Sequence, residues 1–297
     1  MTSNSQETSI SVLSSRSVIA CWILLATWAI SALTVAAASM SPIAQALEPV
    51  TGIALTLFAI TLAVAGFAWK TALLMGASAF TIALALENLS IATGVPFGFF
   101  THTDAFGAKI GAVPFAVALG YFMLGLPAWL LTRVIIGERF STWASPILAA
   151  FILTQFDLTH DPIGATVLSQ WHFRDPSGLN GVPISNFLGW LVTSFAIFLV
   201  WSWLNKRARP LPDFANRGFW LLPIAFWALT AAQYPLLFLT APTGTVETGD
   251  TVIAVADVYE TATINALLVM GFVVLLALAR LFSLDAETEY FNNLRGA

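Results

Sequence analysis

The chain has 297 residues, of which 58% are apolar and 9% charged, against the roughly 25% charged residues of soluble domains; this excludes an ordinary water-soluble protein and points to an integral membrane protein. A net charge of −4 with no clustered basic stripe excludes an electrostatic footprint for nucleic acid. The single cysteine, Cys21, excludes an intrachain disulfide.

Apolar runs close to the ~20 residues that span hydrocarbon recur along the whole chain. They predict an all-α, polytopic membrane helix bundle of about eight transmembrane helices, with seven as the alternative because Asp257 and Glu260 dilute the start of the last segment. The predicted spans cover about 17 to 39, 50 to 69, 71 to 93, 111 to 136, 143 to 170, 185 to 204, 218 to 240 and 252 to 282. Residues 1–297 read as one membrane domain with short polar tails at 1–16 and 284–297. The first run, Val18 to Ala38, is longer than the ~7 to 15 residues of a signal-peptide core and reads as a membrane helix.

Positive residues test this count, because they gather on the cytoplasmic side. With both termini cytoplasmic in the cell membrane, Arg16, Lys70, Arg133, Arg139, Lys206, Arg207, Arg209, Arg217, Arg280 and Arg295 fall inside, and Lys109 and Arg174 outside. The same topology places Glu87 near the outer end of span 3, Asp157 and Asp161 in the outer half of span 5, and Asp257 and Glu260 in the outer half of span 8. A shared polar cavity on the outer side is the economical expectation, since carboxyl groups at membrane depth are costly and mark function by default. Asp157 and Asp161 are four residues apart on one helical face, and Pro162 is expected to kink or break their helix.

Two outer loops repeat a phrase, Gly94-Val95-Pro96-Phe97-Gly98-Phe99-Phe100 after span 3 and Gly181-Val182-Pro183-Ile184-Ser185-Asn186-Phe187 before span 6. Gly freedom, Pro rigidity and aromatic bulk suit re-entrant or capping loops. The 11 Trp and 23 Phe exceed what interfacial belts require and suit an aromatic ligand channel.

Structural roles stand beside the functional ones. Asp157 and Asp161 suit a cap on a broken helix or a pairing with a buried donor such as Asn186 or Arg174, and His160 suits neutral packing as well as proton handling. Neither a phosphate-binding Gly loop, nor zinc-ligand spacing, nor a nucleophile elbow occurs. An Asp-x-x-x-Asp magnesium site for a diphosphate lacks its second acidic motif, and the Arg-rich loops lie on the other side. Three histidines are too few for a di-iron membrane hydroxylase.

Glu87, the Thr93 to Phe100 loop, Asp161-Pro162, Trp171-His172-Phe173 and the run Gly181 to Trp190 resemble the membrane carotenoid biosynthesis family, which contains the bacterioruberin-pathway hydratase and carotenoid 1′,2′-hydratases. The likeness covers about 85 to 205. Phe99 and Phe100 stand where the family pattern has Tyr, and Trp171-His172-Phe173 stands where it has Trp-x-Trp. The resemblance implies water addition across the terminal C1=C2 bond of an acyclic or monocyclic carotenoid, without metal, flavin or nicotinamide, in the bilayer and beside other enzymes of that pathway.

For that chemistry Asp157 is the nominated general acid, with Asp161 or Glu87 orienting water, the roles being exchangeable, and His160 as their helper. Phe97, Phe99, Trp171 and Trp190 are the expected substrate-binding aromatics and Asn186 a water anchor. A proton-coupled transporter and a non-catalytic carotenoid-binding subunit are the competing classes.

Overall fold

The computed structural model describes the backbone of residues 2–38, 41–137, 142–206, 208 and 210–295, and the side chains of those ranges between positions 16 and 283. It is a helix bundle: α1 (Thr2–Ala37), α2 (Pro42–Gly66), α3 (Trp69–Thr93), α4 (Phe115–Ile136), α5 (Ala144–Asp161), α6 (Ile184–Asn205), α7 (Arg217–Leu239), α8 (Val255–Asn265) and α9 (Gly271–Arg295). A π-helical turn, Ala266–Met270, joins α8 and α9 into one rod, so eight rods stand where eight spans are predicted. The backbones at 1–16 and 284–297, expected as tails, continue α1 and α9 from Thr2 and to Arg295.

Among the described residues seven helices are long and apolar enough to cross a membrane, and the protein is a multi-pass membrane protein. The rod outside that seven is α5, whose hydropathy is lowered by Gln155, Asp157, His160 and Asp161. It is nonetheless held inside the bundle by α4, α6 and α8.

Helix α4 is the centre. It touches α2, α3, α5, α6, α7 and α9, and every residue from Leu124 to Thr132 is buried, as expected of a helix that is apolar all round. Aromatic side chains fill the seams. Trp28 and Phe58 pack on Phe226 at 4.8 and 5.6 Å, and Trp129 stacks on Phe198 at 5.6 Å. Trp201 donates its indole N–H to the Met75 carbonyl at 3.0 Å, tying α6 to α3. The aromatic channel expected from the composition is therefore not what most of these rings build. Trp129, Trp201, Trp220 and Trp227 are all but fully buried at helix contacts, where close packing must hold helices together because lipid is as apolar as they are.

The break expected at Pro162 is a widening. Pro162 has no N–H to give the Leu158 carbonyl one turn back, and the helix continues as a π-helical turn, Pro162–Val167, closed by Leu168 N–H to the Ile163 carbonyl at 2.9 Å. The Leu158 carbonyl accepts instead from the Asn265 side-chain amide at 3.2 Å, at the point where α8 enters its own π-helical turn. Each irregular turn packs on the regular helix of the other rod, Pro162–Val167 on α8 and Ala266–Met270 on α5, and a side chain satisfies the backbone acceptor between the rods.

Six short strands cap the bundle in three antiparallel pairs: β1 (Phe100–His102) with β4 (Trp171–Phe173), β2 (Lys109–Ile110) with β3 (Val113–Pro114), and β5 (Thr245–Thr248) with β6 (Thr251–Ala254). The first pair, in the register Phe100↔Phe173, Thr101↔His172 and His102↔Trp171, joins the loop after α3 to the segment after α5. The two Gly-Val-Pro loops meet here: Ser185 Oγ donates to the Phe97 carbonyl at 3.1 Å, and Ser90 Oγ donates to the Gly98 carbonyl at 2.8 Å and accepts from Phe97 N–H at 2.9 Å. Phe97 lies so close to α6 that a Cβ on Gly189 would sit 2.4 Å from its ring. Gly164 makes the same room for Trp171, whose ring would be 2.3 Å from a Cβ there.

Replacing Asn265 by Leu strands the Leu158 carbonyl in an apolar setting and is expected to lower stability by about 1 to 3 kcal/mol. Unfolding of the purified protein in mild detergent measures it; wild-type stability would show that the carbonyl finds another donor.

Candidate functional site

The site is assembled from four helices and the β1–β4 ribbon. Asp157 and Asp161 project from one face of α5 onto Asn186 in the first turn of α6. The Asn186 amide nitrogen donates to Asp157 Oδ2 at 3.1 Å and to Asp161 Oδ2 at 2.7 Å, so one NH₂ group bridges both carboxyls. All three side chains are buried, Asp157 completely. Neither carboxyl has a Lys or Arg partner among the described residues.

Opposite them, Glu87 on α3 binds His102 on β1, Oε2 to Nε2 at 3.0 Å, with about 5% of either side chain exposed. His102 Nδ1 is buried and has no hydrogen-bond partner among the described residues. Lys109 fixes the strand beneath it, donating to the His102 carbonyl and to Asp104 Oδ1, each at 2.9 Å. That ammonium also holds the exposed Asp104 carboxyl below the usual carboxylate range, chiefly through the hydrogen bond.

Between the two groups lies a cavity of about 50 Å³ walled by Glu87, His102, Asp161, Asn186 and the aromatic rings of Phe97, Phe100, Trp171 and Trp190, with Val117. A water needs at least about 10 to 15 Å³ of such space and polar partners, both of which are present. Trp190 stacks on Tyr121 of α4 at 4.3 Å, and the buried Tyr121 hydroxyl lies beside Glu87, in the electrostatic reach of Asp157 and Asp161 as well.

Six of the residues singled out in the sequence meet at this cavity: Glu87, Asp161, Asn186, Phe97, Trp171 and Trp190. Asp157 stands behind it, beside Asp161 and joined to it through the shared Asn186 amide. His160 is not brought to the carboxyls. In an α-helix it points about 60° to one side of Asp157 while Asp161 points about 40° to the other, and its ring stacks on Phe156 at 5.1 Å. Phe99 also faces away, under the Arg174 guanidinium at 3.6 Å, because neighbouring residues in extended chain alternate sides and Phe100 takes the inward one. Asp257 and Glu260, expected in the same polar layer, are exposed on α8.

His102, Phe100 and Tyr121 were not anticipated. The same alternation is the signal for the first two: Phe100 and His102 share one face of β1, as Trp171 and Phe173 share one face of β4, while Thr101 and His172 turn outward. For Tyr121, one of four aromatic residues in a largely apolar helix, no local signal exists.

The model of the carotenoid biosynthesis protein family matches residues 47–241, which contain every residue of this cavity. A bisanhydrobacterioruberin hydratase of Haloarcula japonica is 30% identical over 135 residues, a match spanning 43% of this chain and 45% of that protein, and so less than half of either. No solved structure matches the chain. With about two thirds of its length matched, the chain belongs to the carotenoid biosynthesis protein family.

Proposed function

We propose that this protein hydrates the terminal C1=C2 double bond of an acyclic carotenoid end group to a tertiary alcohol, with no cofactor. The observation that carries the reading is the pairing, across one small aromatic-walled cavity, of a carboxyl held on a neutral amide with a carboxylate–imidazole pair. The family membership and the hydratase relative support the substrate class.

The addition needs a proton donor, a place for a tertiary cation, and a base for the water that quenches it. Asp157 and Asp161 share one Asn186 amide with no cationic partner among the described residues, and two negative charges there cost far more than one, so the pair retains a proton. Asp161 is the member that faces the cavity, and it takes the acid role in exchange for Asp157. Its proton goes to C2, the π electrons forming the new C–H bond and leaving the cation at C1. Phe97, Phe100, Trp171 and Trp190 turn π density toward that space, each face contributing up to about 2 kcal/mol to a desolvated cation.

Water then bonds to C1 and gives up a proton. With Glu87 accepting Nε2–H, the lone pair of His102 lies on Nδ1, a buried atom with no hydrogen-bond partner among the described residues, and this nitrogen takes the proton. Return of that proton to Asp161 through water closes the cycle. Asp157 and Tyr121 act as positioning groups, holding Asn186 and Trp190 respectively. Both chain ends lie on the cytoplasmic side in this reading, which puts the cavity, Lys109 and Arg174 toward the exoplasmic surface. A transporter needs polar access from both faces, whereas Phe198 and Trp201 of α6 and Trp129 of α4 pack tightly on the far side of the cavity.

In membranes supplied with an acyclic carotenoid and H₂¹⁸O, the product hydroxyl is expected to carry the label; oxygen drawn from O₂ would end the hydratase reading. Asp161→Asn, which keeps the Asn186 contact sterically, is expected to lower turnover by about 100-fold or more at unchanged membrane abundance, with Asp157→Asn costing less. His102→Ala is expected to lose about 100-fold and to recover with added imidazole. Activity that imidazole cannot restore would assign His102 a structural task.

A further inference from the structure

We infer that a second cavity, at the opposite end of the bundle, binds a phosphate group, presented by an anionic phospholipid. This cavity is the larger, about 480 Å³, and is formed where α2, α4 and α6 end and α7 begins. Arg133 in the last turn of α4 and Lys206 after α6 bring two cations to its wall. Among the described residues one acid lines the same wall, Asp213, whose Oδ1 accepts from the Ala215 N–H at 2.8 Å.

Two further wall residues point to a ligand. Ser202 is 1% exposed, yet its Oγ has no hydrogen-bond partner among the described residues, and the buried Oδ1 of Asn205 one turn later has none either. Buried polar atoms are almost always paired, so the open Ser202 hydroxyl in the same wall as two cations offers a donor to an anion, and the open Asn205 oxygen an acceptor for a headgroup hydroxyl. Guanidinium and ammonium groups with neutral donors suit phosphate oxygens.

The remaining wall separates a lipid from a free ion. Trp129 and Trp220 line the space, and most of its volume would stay unfilled around inorganic phosphate alone. A glycerophosphate headgroup with the start of its chains fills both parts, polar against Arg133 and Ser202, apolar against the indoles. The position suits it, because helix ends lie at the depth of lipid phosphates, and basic pockets between helices on the cytoplasmic side are where anionic headgroups settle. This site is independent of the hydration chemistry.

The test uses the full chain in nanodiscs of equal phosphatidylglycerol and phosphatidylcholine, with retained lipid counted by native mass spectrometry after extraction. Wild type is expected to retain phosphatidylglycerol in preference, and Ser202→Ala and Lys206→Gln each to weaken that retention, with Arg133→Gln/Lys206→Gln weakening it by about tenfold or more. Lys206 is exposed, so its single substitution remains informative if the double variant fails to fold. Equal retention of both lipids, or retention unaffected by Lys206→Gln and Ser202→Ala, overturns the inference. Displacement of the lipid by millimolar inorganic phosphate supports the phosphate site and overturns the lipid as its source.

Discussion

One side-chain amide governs the organisation of this protein's polar interior. Asn186 gives a hydrogen bond to each of two carboxyls that the surrounding helices isolate from solvent. In hydrocarbon a lone ionised carboxylate is prohibitive, and a cationic partner would form an inert ion pair. A neutral donor serves both acids without forming an ion pair with either. Helices α5 and α6 must pack closely, and in this register, for the contact to form.

The backbone adapts to that requirement. Asp161 is followed by proline, and the widened turn that results keeps Asp161 turned toward α6 while the chain leads on to β4. Asn265 supplies the donor that the proline lacks, so α8 is fastened to α5 at the residue after Asp157. Irregular helix is tolerated at membrane depth only where protein satisfies it, and here the irregularity shapes the wall of the cavity.

The cavity closes from the other side through chain segments far apart in sequence. The β1–β4 ribbon sets His102 across from Trp171, and the Phe97 loop lies against Gly189 of α6. Carboxyl pair, imidazole and aromatic wall therefore share one rigid frame. At the far end of the bundle Arg133 and Lys206 share a cavity wall with one described acid, Asp213, and packed Trp and Phe side chains separate that end from the carboxyl-lined cavity.

The sequence by itself determined the helical class, the position of eight rods, and six of the residues that wall the cavity, because hydropathy, a four-residue carboxyl spacing and Gly-Pro loop chemistry are local properties of the chain. It also carried the inward alternation of Phe100 and His102, a two-residue period too short to stand out beside long apolar helices. Only the tertiary structure decided that His102 and not His160 meets a carboxylate, that Asp161 faces the cavity with Asp157 behind it, that Phe99 turns outward, and that Asp257 and Glu260 stay exposed. Each of these depends on the rotation of one element against another. Rotation about a helix axis is fixed by side chains packing across interfaces, and that information resides in pairs of residues that no single stretch of sequence contains.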